Sequence, residues 1–88
     1  MTNPAAVSCP AGEWAKVAEN VTTGVITVKG NESDGLYYDY RLTGAAAPTA
    51  LTTAIPFDGL QLNFQTAAAI DVYVWNETDN AAVVVAHL

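Results

Sequence analysis

Two aspartates and one arginine are the residues in this sequence best spaced for chemistry. Asp39 and Arg41 stand two apart in the run Leu36-Tyr37-Tyr38-Asp39-Tyr40-Arg41-Leu42-Thr43, and Asp71 lies in a second alternating run, Ile70-Asp71-Val72-Tyr73-Val74-Trp75-Asn76. Two carboxylates on neighbouring strands are the pair that glycoside hydrolysis uses. Arg41 is the only arginine in the chain, and carboxylates that share a sheet face with a guanidinium are held by it. Asp39, Arg41 and Asp71 are therefore expected to form a structural ion pair set and not a catalytic one. His87, the single histidine, stands one residue from the C-terminus, where a hydrolytic base would lack a rigid frame. Zinc needs several His or Cys ligands, and the chain offers only His87 and Cys9. The expectation is no enzyme, no catalytic residue, no metal and no cofactor.

The polar loops offer oxygen ligands. Asn31, Glu32 and Asp34, or Glu77, Asp79 and Asn80, could give calcium some of its six to eight oxygens. Neither group has the twelve-residue loop spacing, and both are expected to be solvated turns. Asn20, Asn31 and Asn76 each begin an N-x-S/T triplet. Such triplets matter only in a eukaryotic secretory pathway, and in turns rich in Asn and Thr they arise by chance. Trp14, Tyr37, Tyr73 and Trp75 could stack on a pyranose face. The competing role is packing, in the core or against a neighbouring subunit.

Composition narrows the partners. The 88 residues carry three basic and nine acidic side chains, a net charge of −6. A phosphate-tracking surface needs clustered cations, so neither nucleic acid nor an anionic membrane is an expected partner. Hydrophobic residues make up 51% and charged residues 14%, too apolar for disorder. The low charge also predicts that some apolar surface is shared with another chain. One cysteine allows no intrachain disulfide, and Cys9 reads as a small buried apolar residue. Met1-Thr2-Asn3-Pro4 does not begin a basic and then apolar leader, so synthesis in a cytoplasm is expected.

The elements that must position these residues are strands. In the run from Leu36 to Thr43, Leu36, Tyr38, Tyr40 and Leu42 fall on one face, and Tyr37, Asp39, Arg41 and Thr43 on the other. Residues 13–19 alternate, and residues 25–29 form a β-branched run. Asn20-Val21-Thr22-Thr23-Gly24 reads as a turn-rich link between these two strands. Asp34-Gly35 predicts a hairpin that returns residues 36–43 antiparallel to 25–29. Residues 60–65 alternate apolar with amide, residues 70–76 alternate with both faces partly apolar, and residues 81–86 are an apolar closing strand. Five strands are clear, and six or seven result if the weaker ones are included. No segment has helical periodicity. The fold class is all-β, a small antiparallel sandwich or barrel of about six to seven strands. Residues 1–12 carry Pro4, Pro10 and Gly12 and are expected to be an extended N-terminal arm, with residues 13–88 as the single domain. The long connection from Gly44 to Gly59 is the kind that makes partner contacts. The expected contact residues are Pro4, Val7, Pro10, Ala46, Pro48, Leu51, Ile55 and Pro56.

Three segments taken together resemble small β-rich structural proteins of tailed bacteriophages. They are Trp14-Ala15-Lys16-Val17-Ala18, Tyr40-Arg41-Leu42-Thr43-Gly44-Ala45-Ala46-Ala47-Pro48, and Ala68-Ala69-Ile70-Asp71-Val72-Tyr73-Val74. The resemblance implies a virion component, foremost a capsid decoration or cement protein that binds the assembled head as an oligomer. It implies a homotrimer as the favoured assembly and the major capsid protein or other virion proteins as partners. The alternative is a carbohydrate- or receptor-binding module on a phage fibre or tail. No catalytic residue comes with the resemblance.

Overall fold

The computed structural model describes residues 5–29 and 35–88. They form β1 (Ala5–Cys9), β2 (Trp14–Val28), β3 (Leu36–Leu42), β4 (Ile55–Pro56), β5 (Gln61–Asn76) and β6 (Ala82–His87). All six belong to one antiparallel sheet in the order β1-β6-β2-β5-β3-β4, and the sheet does not close. The all-β class read from period-two alternation is the class found. Of the expected N-terminal arm, Ala5–Cys9 is an edge strand of the sheet itself, paired along its length with β6. Pro10 ends it, as a residue without an N–H must end a ladder.

Two expectations are corrected. Residues 20–24 are not a link between strands, because β2 runs through them from Trp14 to Val28. Its ladder with β5 shifts register between Lys16 and Ala18, between Ala18 and Val21, and between Val21 and Thr23. These bulges bend the ribbon without ending it, which is how a turn-like composition can sit inside a strand. Asn20 takes a left-handed φ of 54° at the bend, a conformation that asparagine tolerates. The hairpin expected between residues 25–29 and 36–43 is also absent. β3 pairs with β5 and β4, while the C-terminal half of β2 pairs with β5 and β6. β5 lies between them, buried on both sides over Asp71–Val74, with β3 one place nearer the β4 edge.

One apolar cluster unites both halves of the bent ribbon. Ile26, Val72, Val74, Val84 and Cys9 are fully buried, with Val17, Ala18, Val28, Leu36, Phe57, Ile70 and Ala86 around them. Each large aliphatic side chain taken out of water contributes roughly 1.5–3 kcal/mol. Phe57 closes the β4 end, its ring edge-on to Tyr38 with centroids 5.5 Å apart. Burial in this cluster raises the Cys9 thiol to a pKa of about 11, so it stays protonated and unreactive at neutral pH.

Candidate functional site

The bend in β5 opens a groove. Tyr38 and Tyr40 of β3 form one wall, Leu62 and Phe64 of β5 form the other, Ile70 and Val72 line its floor, and the polar Asn63, Gln65 and Thr66 complete the lining. Cross-strand register explains the first wall and the floor: Tyr38 stands opposite Val74, Tyr40 opposite Val72 and Leu42 opposite Ile70. Paired residues share a face, so the core face of β3 continues outward past the point where the other half of the ribbon covers it. Exposure rises along that face, from 3% at Leu36 to 52% at Tyr40 and 60% at Leu42. The second wall depends on a glycine. Phe64 stands opposite Gly24, and a Cβ there would lie 2.8 Å from Phe64 Cζ and 2.8 Å from Leu88 Cδ2. The missing side chain leaves room for the ring to lie across β2. The groove's volume is about 280 Å³, at the lower edge of the ~300–1,000 Å³ typical of small-molecule sites.

The opposite face of the same strands carries the aromatics. Trp14 of β2, Trp75 of β5, Tyr37 of β3 and Pro56 of β4 stand in one row across four strands. The two indoles touch, with centroids 5.6 Å apart and planes tilted by 55°. Trp14, Trp75 and Tyr37 are half-buried, and the Trp75 indole N–H donates to Glu77. In the next row Tyr73 is buried beneath Lys16, whose ammonium lies 5.8 Å from the ring centroid. Packing and partial exposure thus divide the four rings considered as a stacking platform.

The aspartates on this face are engaged. Asp39 Oδ2 lies 2.8 Å from Arg41 and accepts a 2.7 Å bond from the Thr53 hydroxyl, while Oδ1 accepts from the Tyr40 N–H. Asp71 stands opposite Arg41 in register but pairs with Lys16, at 3.8 Å. Its Oδ1 also accepts from the Asn20 N–H and the Thr43 hydroxyl, both at 2.9 Å. The backbone bond from Asn20 holds this carboxyl below its ordinary value, helped by Thr43 and Lys16 and opposed by burial. The single shared guanidinium expected from the sequence is therefore two separate arrangements. Asp39 ties the long loop to the sheet through Thr53, and Asp71 fixes the left-handed bend of β2. His87 comes no closer than 3.5 Å to the Thr27 hydroxyl. Among the described residues no three His, Cys, Asp or Glu side chains converge on a point.

Set against known protein families, curated proteins and solved structures, the chain matches none.

The expected contact residues are scattered. Pro10, Ala46, Leu51, Ile55 and Pro56 are exposed, Val7 is half-buried, and Pro48 is buried. Pro4 lies outside the described residues. The groove was only half legible. Tyr38, Tyr40 and Leu42 were placed on one face, and Leu62 and Phe64 on another strand, but nothing local told that β5 bends to bring them together. Asn76, which the sequence shows only as the start of a chance N-x-S/T triplet, has a structural role. Its side chain is fully buried and makes every bond it can: Nδ2 donates to Cys9 O at 2.9 Å and Asn80 O at 2.7 Å, and Oδ1 accepts from the Thr78 N–H and hydroxyl. A polar residue closing a strict alternation, followed two residues later by Thr78, was the available signal.

Proposed function

We propose that this chain is a non-enzymatic attachment protein, a structural component of a bacteriophage virion that decorates the assembled capsid in repeated copies. The observation that carries the reading is the mainly apolar groove continuous with the core, walled by Tyr40 at 52% exposure, with Leu42 at 60% exposure beyond it on the same face, opposite Ile70. An open aromatic and aliphatic recess of this size takes anchoring side chains from another protein, with the major capsid protein or another virion protein as the proposed source. The virion assignment itself comes from the resemblance of the three segments. Binding only to the assembled shell would stabilise it by mass action, and many copies on a lattice would multiply modest contacts. Particles of the virus that encodes the chain, banded by density, should carry it in many copies. Tyr40→Asp combined with Leu42→Asp should strip it from them while leaving the melting of the isolated chain nearly unchanged. Particles that band without the chain would end this reading.

The half-buried row of Trp14, Trp75 and Tyr37 supports a second reading, a carbohydrate-binding module of a fibre or tail. Titration with cello-, chito- and malto-oligosaccharides should then shift the tryptophan emission, and Trp14→Ala should abolish the shift. An unchanged spectrum across all three series argues against it.

A further inference from the structure

The two edges of the sheet are built differently. The β4 edge is two residues long, and one of them is Pro56, which has no N–H to offer. Short length and proline are the devices by which folded proteins keep sheet edges from pairing. The β1 edge has neither. Ala5–Cys9 is five residues long, pairs with β6 in unbroken register, and contains no charge, no proline and no bulge. Its side chains are all small, and Ala5, Ala6 and Ser8 are exposed.

Charge marks the same region. The described acidic residues are Glu13, Glu19, Asp39, Asp58, Asp71, Glu77 and Asp79, and none belongs to β1 or to its neighbour β6. In a chain of net charge −6, a contact made along β1 puts no acidic side chain of either strand against the other; the nearest acids, Glu13 and the turn carrying Glu77 and Asp79, flank its Cys9 end.

We infer that β1 is a homodimerisation edge: it pairs antiparallel with β1 of a second copy across a two-fold axis, joining the two sheets into one. An antiparallel pair of identical strands is self-complementary by symmetry, which is the requirement of an isologous interface. The register of greatest overlap places Val7 opposite Val7 of the second copy, and Ala6 opposite Ser8. Small residues at these positions let the backbones reach ladder distance without a clash. Such a two-fold pair departs from the trimer that the phage resemblance implies. It stands independently of the attachment reading, because it holds or fails with the isolated chain in solution.

Sedimentation of the full chain from micromolar to millimolar concentration tests it. The expected result is a concentration-dependent monomer–dimer equilibrium. In A6K/S8K the introduced lysines face each other across the axis, and like charges directly opposite should raise the dissociation constant roughly tenfold or more. Both positions are exposed, and the circular dichroism of the variant reports whether it folds. V7C gives the second reading: under mild oxidation it should form a covalent dimer, since Cys9 is buried and stays a thiol. A wild-type chain that is monomeric throughout overturns the inference. So does a dimer that survives in folded A6K/S8K, or one that forms while V7C fails to cross-link.

Discussion

Replacing Asn76 by aspartate would test how the end of β5 is held. The asparagine side chain gives two hydrogens to the carbonyls of Cys9 and Asn80 and takes two from Thr78, so it joins β1, the end of β5 and the turn before β6. Truncation to alanine leaves the buried Cys9 carbonyl unpaired, at roughly 1–3 kcal/mol, and loses three partly exposed bonds at ~0.5–1.5 kcal/mol each. The sum is roughly 2.5–7.5 kcal/mol, against a total stability of roughly 4–13 kcal/mol for a chain of this size. At about 4–8 °C per kcal/mol, a melting temperature lower by about 10 °C or more follows. Aspartate is the sharper probe, because it keeps the acceptors for Thr78 and loses only the two donors. Its carboxylate would face two carbonyl oxygens in a buried site, which raises its folded pKa above the unfolded value. The penalty is then greatest at neutral pH and shrinks as pH falls through the raised pKa, when the protonated acid can donate one bond. Urea denaturation followed by tryptophan emission, with Trp75 adjacent in sequence, would measure both variants against the wild type at each pH. An aspartate variant as stable as wild type at pH 7, or one that gains nothing relative to it in acid, would refute this account of the site.

Gly24→Val should cost about 1–3 kcal/mol in the same assay, because the new side chain must displace the Phe64 ring and also meets the His87 carbonyl, which cannot swing aside. Unchanged stability would mean that Phe64 does not need the vacancy. The carboxyl of Asp71 is held below its ordinary 3.8, chiefly by the Asn20 N–H, so its contribution is complete above the ordinary carboxylate range. That contribution is lost as pH falls through the lowered value. The stability gap between wild type and Asp71→Asn should therefore be flat near neutrality and close in acid, and a gap that widens on acidification would contradict the assignment.

Much of the fold could be read from side-chain alternation. Leu36, Tyr38, Tyr40 and Leu42 do share a face, and the strand nature of residues 60–65 and 70–76 was plain in period two. What alternation could not convey is continuity. Asn20, Thr22, Thr23 and Gly24 have turn chemistry, and only the long-range bond from the Asn20 N–H to Asp71, 51 residues away, turns them into a bulged strand. Strand order was hidden for a related reason. The Asp34-Gly35 dipeptide is a local signal, whereas the pairing of β3 with β5 reflects burial on both sides of Asp71–Val74, a property of the whole sheet. Asp39 and Arg41 were legible as a pair because they stand two apart on one strand. Lys16 as the partner of Asp71 was not, since it depends on the register of β2 against β5.

The ladder between β2 and β5 is out of step by design near Thr66. Between the pairs Val21–Ile70 and Thr23–Gln65, β5 advances five residues while β2 advances two. The surplus, Thr66 to Ala69, is taken up as slack, with Ala67 and Ala68 exposed and Thr66 bonded to the Ala68 carbonyl. Because the phase of the ribbon is reset on either side, a guest peptide spliced between Ala67 and Ala68 would lengthen the slack without turning any neighbouring side chain over. Each doubling of such a loop adds only about 0.6 kcal/mol of closure entropy. The molecule thus carries its own insertion point, where new sequence could be presented to solvent while both halves of the sheet keep their registration.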